Sequence, residues 1–500
     1  MATESRVPDD IVHAAGYPAE PGERDYHPRL TNHDLAPLKE QTWRSYNIFA
    51  FWMSDVHSVG GYLTAGSLFA LGLTSWQVFV CLIAGICIVQ YFCNLVAKPS
   101  QQAGVPYPVI SRVSFGVLGA NIPAIIRGLI AVAWYGVQTF LAAESLNIVF
   151  LKLWPALGPW ADAKVHGFLG LSALGYVSFA ILWVAQAALF WRGMETIRKF
   201  IDLAGPAVYV TMLLLCAYLL VKSDFTVDLN LSNHSLSGWA TIGTMLSAIA
   251  LVVSYFSGPM LNFGDFARYG RSFKSVRRGN FWGLPINFVF FSLLTVLTAG
   301  ATVPVYGELL TDPIKTVERI DNTFAILLGA ITFVTATVGI NIVANFISPA
   351  FDFSHVSPQK ISWRMGGMIA AVGSVLLTPW NWYNNDTAIH YTLGILGALI
   401  GPLFGILIAD FYLIRKQKLV VDDMFTLDKD GAYHYRKGYN PVAIQSVIAA
   451  GVVSVASVLV PRWIGGALWI SDYSWFIGCG VGFALYSVLA RRAGIAQAQA

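Results

Sequence analysis

About twelve stretches of this chain are apolar for long enough to cross a bilayer, and that restricts it to a bundle of membrane helices. Roughly 20 residues span the hydrocarbon core as a helix, and every backbone polar group inside the core must be paired within the protein. The stretches are 46–72, 75–97, 122–151, 167–191, 200–221, 239–263, 281–303, 322–350, 366–380, 388–413, 441–461 and 468–490, the ninth being the shortest. Composition agrees: 56% of the 500 residues are hydrophobic and 12% are charged, and mean hydropathy is +0.58. Soluble domains carry about 25% charged residues, so too little charge is present to coat a water-facing surface. The net charge of +4 points to no nucleic-acid partner. The expected partners are the lipid bilayer and a small solute, and oligomeric state is not legible.

Basic residues cluster in alternate loops. One side carries Lys98 and Arg112, then Arg192, Arg198 and Lys199, then Arg268, Arg271, Lys274, Arg277 and Arg278, with further clusters at 360–364 and 415–437. The other side carries only Lys152, Lys164, Lys222, Lys315, Arg319 and Arg462. Positive charge accumulates on cytoplasmic loops, so both termini are expected in the cytoplasm of a multi-pass cell-membrane protein. The polar first 45 residues read as a tail whose last part, near Trp43 and Arg44, is expected along the membrane. The five cysteines lie in apolar runs without zinc spacing and read as small buried hydrophobes. The sequons at Asn230, Asn233 and Asn385 read as chance occurrences in polar loops.

Two of the apolar stretches are interrupted. The first carries Ser58, Val59, Gly60 and Gly61, and the sixth carries Ser257, Gly258 and Pro259. Proline cannot donate the helical hydrogen bond, and glycine lowers helix propensity by about 1 kcal/mol relative to alanine. Breaks at matching positions of two five-helix halves suggest an inverted repeat with a solute site at the breaks. An ordinary kink is the competing explanation.

Ionisable residues inside spans default to functional expectations. Asp55 and His57 adjoin the first break without a basic neighbour in sequence, and Glu144 lies deep in the third stretch. They serve either coupling and gating or interior hydrogen bonding. Asp265 with Arg268 and Asp410 with Arg415 are expected to be structural ion pairs; Asp352 lies near a helix end. Trp134 and Gln138 are four apart and share a helix face. An indole beside a carboxamide suits a planar amide, which the ring stacks on while the amide donates and accepts. Asn341 and Asn345 repeat that spacing in the eighth stretch, where they meet either a substrate or another helix. HExxH, GxSxG, phosphate-loop and paired CxxC motifs are missing, so no enzyme and no cofactor are expected.

Several segments together resemble the nucleobase–cation symporter family 1, which includes hydantoin, allantoin, uracil and cytosine permeases. They are SYNIFAFWMSDVHSVGGYLTAGSLFALG (45–72), GVPYPVISRVSFGVLGANIPAIIRG (104–128), WYGVQT (134–139), RGMETIRKFIDLAGP (192–206), LNFGDFARY (261–269), GINIVANFISPAFDF (339–353) and GPLFGILIADFYLIRK (401–416). The resemblance implies an all-α leucine-transporter-type fold of two inverted five-helix repeats followed by two further helices. The division is then a tail over 1–45, repeats over 46–222 and 223–416, a loop with two helices over 417–490, and a tail over 491–500. It implies a planar substrate held between aromatics of the third and sixth helices. Trp134 matches the family's stacking tryptophan, Gln138 its hydrogen-bonding glutamine and Asn345 its substrate asparagine. The sixth-helix aromatic falls at Phe256, with Tyr255 as the alternative one residue away, and Ser58 falls where the hydantoin branch has glutamine.

The ion site departs from that pattern. Sodium-coupled members place two hydroxyls on the eighth helix, where this chain has Gly339 and Ile340. The first-helix backbone contacts fall at Ser54 and His57. The coupling cation is therefore H+ or Na+, and the missing hydroxyls favour the proton, with Asp55 or His57 as its carrier. The expected function is import of a small planar ureide or nucleobase, allantoin or uracil foremost, by cation symport. An amino-acid transporter of the same fold and a solute sensor or channel are the alternatives.

Overall fold

The computed structural model describes residues 11–12, 26–57, 59–229, 236–382, 386–466 and 468–495. The three sequons and Ser58 lie outside the described residues. A helix occupies each of the twelve apolar stretches. Nine of these, among the described residues, are long and apolar enough to cross a membrane: Ser75–Ala103, Asn121–Leu153, Ala173–Trp191, Met194–Lys222, Phe273–Tyr306, Thr323–Val356, Gly394–Ile414, Pro441–Trp463 and Trp469–Arg492. They are the second to fifth, seventh, eighth and tenth to twelfth helices. Large apolar side chains such as Trp76, Leu129, Leu203 and Val452 are exposed on their outer faces, where lipid replaces water.

The remaining three are short, two of them because the helix is broken. The first helix runs Ser45–Val56 and resumes at Val59–Ser67. His57 ends its first half with φ −86° and ψ 59°, outside the helical region. The sixth runs Trp239–Tyr255 and resumes at Ser257–Leu261. Pro259 lies inside the second piece and has no N–H to extend the ladder back across the break. The ninth, Trp363–Leu376, has 14 residues.

Local chemistry sets several helix ends. Ser172 and Asn322 accept from the Gly175 and Ala325 amides and so cap the fourth and eighth helices. The second ends at Gly104, whose φ of +68° is left-handed and whose missing Cβ lets the Leu38 amide approach. π-helical turns interrupt the seventh helix at Trp282–Ile286, the eighth at Val343–Ile347 and the tenth at Ala409–Ile414.

The segment from Tyr26 to Arg44 is tied to one end of the bundle. Asn32 donates to Ser354 Oγ, and Arg268 donates to the carbonyls of Asp34 and Ala36. Trp43 hydrogen-bonds the Tyr269 carbonyl and stacks on that ring at 5.3 Å. Trp43 therefore rests on the loop after the sixth helix. The expected Asp265–Arg268 pair does not form: Asp265 accepts from the Tyr107 amide and from Asn262 instead. Three residues apart across a helix end, the two side chains diverge, and the arginine turns to the N-terminal segment. Asp410 and Arg415 do pair, at 2.8 Å, and Asp410 also accepts from Tyr486 of the twelfth helix. Cys81, Cys93 and Cys216 are buried as expected, whereas Cys87 is exposed on the second helix.

Candidate functional site

The two breaks and the third helix meet around Gly60. A Cβ added there would lie 3.0 Å from Gln138 Nε2 and 3.1 Å from Tyr255 Oη, so any larger residue would push these two side-chain ends back. Gln138 is buried, and its Oε1 has no hydrogen-bond partner among the described residues. One turn away the half-buried Trp134 meets Tyr255, ring centroids 6.1 Å apart and planes at 87°. An indole, an uncommitted buried amide oxygen and a phenol thus converge where two helices lose their regular bonding. Such a set can stack a flat ring and accept a hydrogen bond from its edge.

Of the two adjacent sixth-helix aromatics, Tyr255 reaches Trp134. Phe256 lies against Phe288 of the seventh helix at 5.6 Å and shares a small cavity with Thr64, Leu82 and Phe291. Asn341 is fully buried, and its amide N–H groups are shared among Tyr135 O, Thr139 Oγ1 and Gln186 Oε1 at 2.8–3.1 Å. Asn345 sits in the π-helical turn of the eighth helix and donates to Asn341 Oδ1 at 3.2 Å. Arg127 donates to the Ala344 carbonyl, so Asn345 lies along the third helix between the levels of Arg127 and Tyr135.

The residues expected to serve coupling have other neighbours. Ser54 donates to the Ile201 carbonyl at 3.4 Å and lies opposite Gly339, where a Cβ would come within 3.9 Å of its own. His57 is held on both ring nitrogens, Nδ1 by Tyr62 Oη at 2.9 Å and Nε2 by Asn287 Oδ1 at 3.2 Å. A neutral imidazole satisfies both, donating to the amide oxygen and accepting from the phenol. Asp55 is buried, and neither carboxylate oxygen has a hydrogen-bond partner among the described residues.

Sequence reasoning had Gly60 as part of the first break and missed Thr139 and Gln186 as parts of this region. Gln186 had a readable signal, being a lone carboxamide in the apolar run 173–191.

Comparison with known proteins decides what kind of molecule carries this arrangement. Residues 36–478 match the family model described as permease for cytosine/purines, uracil, thiamine and allantoin. The chain belongs to this family. It is 32% identical to the allantoin permease of Bacillus subtilis over 471 residues, covering 93% of this chain and 94% of that protein. It is 31% identical to the purine-uracil permease NCS1 of Arabidopsis thaliana over 439 residues, covering 87% and 72%. Among solved structures it resembles Mhp1, a nucleobase-cation-symport-1 family transporter in a closed conformation with bromovinylhydantoin bound. That match has a TM-score of 0.74 and 22% identity, and covers 93% of this chain and 96% of that chain. The permease is thus a multi-pass membrane transporter and not an enzyme.

If Gln138 and Asn345 bond the solute as the family resemblance implies, Gln138→Ala and Asn345→Ala in the permease are each expected to raise the KM for the transported solute about 10-fold or more. Both should leave the protein inserted. Concentration-dependent uptake in proteoliposomes measures this, and unchanged kinetics in both variants would make the amides structural.

Proposed function

We propose that the permease imports a small planar ureide or nucleobase, allantoin or uracil foremost, by cation symport through alternating access. The supporting observation is the convergence of Trp134, Gln138 and Tyr255 on Gly60 at the helix breaks, a set suited to a flat ring that carries N–H groups. A zwitterionic amino acid would call for charge-compensating helix ends more than an indole and a carboxamide. Asn345 is taken to complete the substrate set, with Ser58 included on its sequence position alone and Asn341 acting through its bond to Asn345, and the fold is read as two five-helix repeats. The positive charge of alternate loops supports cytoplasmic termini, and import into the cell would call for a place in the cell membrane.

The proton is the preferred coupling ion. Gly339 and Ile340 bring no side-chain oxygen to the face opposite Ser54, so sodium would depend on backbone carbonyls. Asp55 is a buried carboxyl on the broken helix with no hydrogen bond among the described residues. Uptake of radiolabelled allantoin, uracil, cytosine and hydantoin into proteoliposomes, under imposed proton or sodium gradients, tests both parts. Saturable, gradient-driven uptake of at least one of the four is expected. Uptake of none of them would sink the substrate reading.

A further inference from the structure

We infer that Gln186, on the fourth helix, is a positioning residue that fixes which end of the Asn345 amide faces the solute. This rests on Asn345 serving the site as proposed above.

Two backbone carbonyls, which can only accept hydrogen bonds, orient the network. Gln186 approaches the Leu182 carbonyl at 3.2 Å, so its NH2 group must point there. The same nitrogen reaches Thr139 Oγ1 at 3.2 Å, and the Thr139 hydroxyl spends its own proton on the Tyr135 carbonyl at 2.8 Å. The orientation of Gln186 is thereby set, with Oε1 toward Asn341. Asn341 must in turn present its NH2 group, both to that oxygen at 2.8 Å and to the Tyr135 carbonyl at 3.1 Å. Its Oδ1 is left facing Asn345, which donates to it at 3.2 Å. Turning any one amide over would set oxygen against oxygen or nitrogen against nitrogen in a fully buried network, where an unmade hydrogen bond is costly. Asn345 therefore spends one N–H inward, and its Oδ1 is directed away from the relay.

The consequence concerns specificity. An asparagine free to rotate offers a ligand either a donor or an acceptor. Asn345, held by this relay, turns its Oδ1 outward beside its second N–H and cannot exchange the two ends. The solute class that fits is a cyclic amide, imide or urea, one of whose N–H groups meets that oxygen.

The test compares each solute that the wild-type protein takes up with its singly N-methylated forms, as competitors in proteoliposomes. In the wild type, methylation of the nitrogen that meets Asn345 should weaken competition about 30-fold or more, since a methyl removes the donor and leaves the acceptor unpaired. Gln186→Leu removes the shortest of the three bonds that hold the Asn341 amide and so loosens the relay, and that discrimination should fall about 5-fold or more. Gln186→Glu, as the acid, keeps the acceptor for Asn341 and one of the two donors, so discrimination should fall less than in Gln186→Leu. Asn341→Leu should repeat the loss and serves where Gln186→Leu does not reach the membrane. A uniform drop in uptake with discrimination unchanged, in any inserted variant of Gln186 or Asn341, overturns the inference while the substrate reading stands. Wild-type protein that takes up no nucleobase or ureide removes both.

Discussion

Trp134→Ala is expected to abolish measurable uptake while the protein still inserts and remains monodisperse in detergent. The indole is half-buried at the breaks, held at right angles to Tyr255, and is the larger of these two rings in the cluster around Gly60. Covering an aromatic face contributes about 1.5–3 kcal/mol through burial and about 0.5–1.5 kcal/mol more through ring geometry. Loss of about 2–4 kcal/mol weakens binding roughly 30- to 1000-fold. Trp134→Phe keeps a ring but less area, so it should lose only about 3- to 10-fold on the same scale. Binding and uptake measured side by side decide the matter: an alanine variant with near-normal affinity would reject Trp134 as the stacking face.

Asp55→Asn should remove gradient-driven accumulation and spare exchange. A buried carboxylate without partners costs several kcal/mol if it stays ionised. The Asp55 carboxyl, buried and with no hydrogen bond among the described residues, is therefore held either as the acid or beside a cation. His57 differs, being satisfied as a neutral ring by Tyr62 and Asn287. Uptake driven by an inward proton gradient should exceed sodium-driven uptake, rise as external pH falls, and drop about 10-fold or more in Asp55→Asn. Exchange of internal for external solute needs no net ion movement and should persist. His57→Gln can keep part of the hydrogen bonding and should blunt uptake less. Strong stimulation by sodium with no response to external pH would reject the proton assignment.

The membrane spans could be read from sequence because apolar length is a one-dimensional property. The broken helices followed for the same reason: Pro259 and the Gly60–Gly61 pair weaken the ladder wherever the chain places them. The Asp410–Arg415 pair was legible because five residues along one helix end keep the partners within reach. The Trp134–Gln138 face came from helical spacing alone.

What sequence could not decide is rotation and long-range partnership. Consecutive residues on a helix point about 100° apart, so whether Tyr255 or Phe256 faces Trp134 depends on the backbone at the break. The fold turns Tyr255 toward it and Phe256 toward Phe288. His57 meets an asparagine 230 residues away, and Asn341 meets Gln186 across 155 residues. Arg268 leaves the nearby Asp265 for carbonyls of the N-terminal segment. By itself the sequence determined that this chain is a bundle of membrane helices broken at two places, because hydrophobic length and missing backbone donors act locally. Which polar groups are spent within the protein and which stay open to a solute was decided only by the tertiary structure. Hydrogen bonds reach about 3 Å, and only packing brings residues so far apart in the chain within that distance.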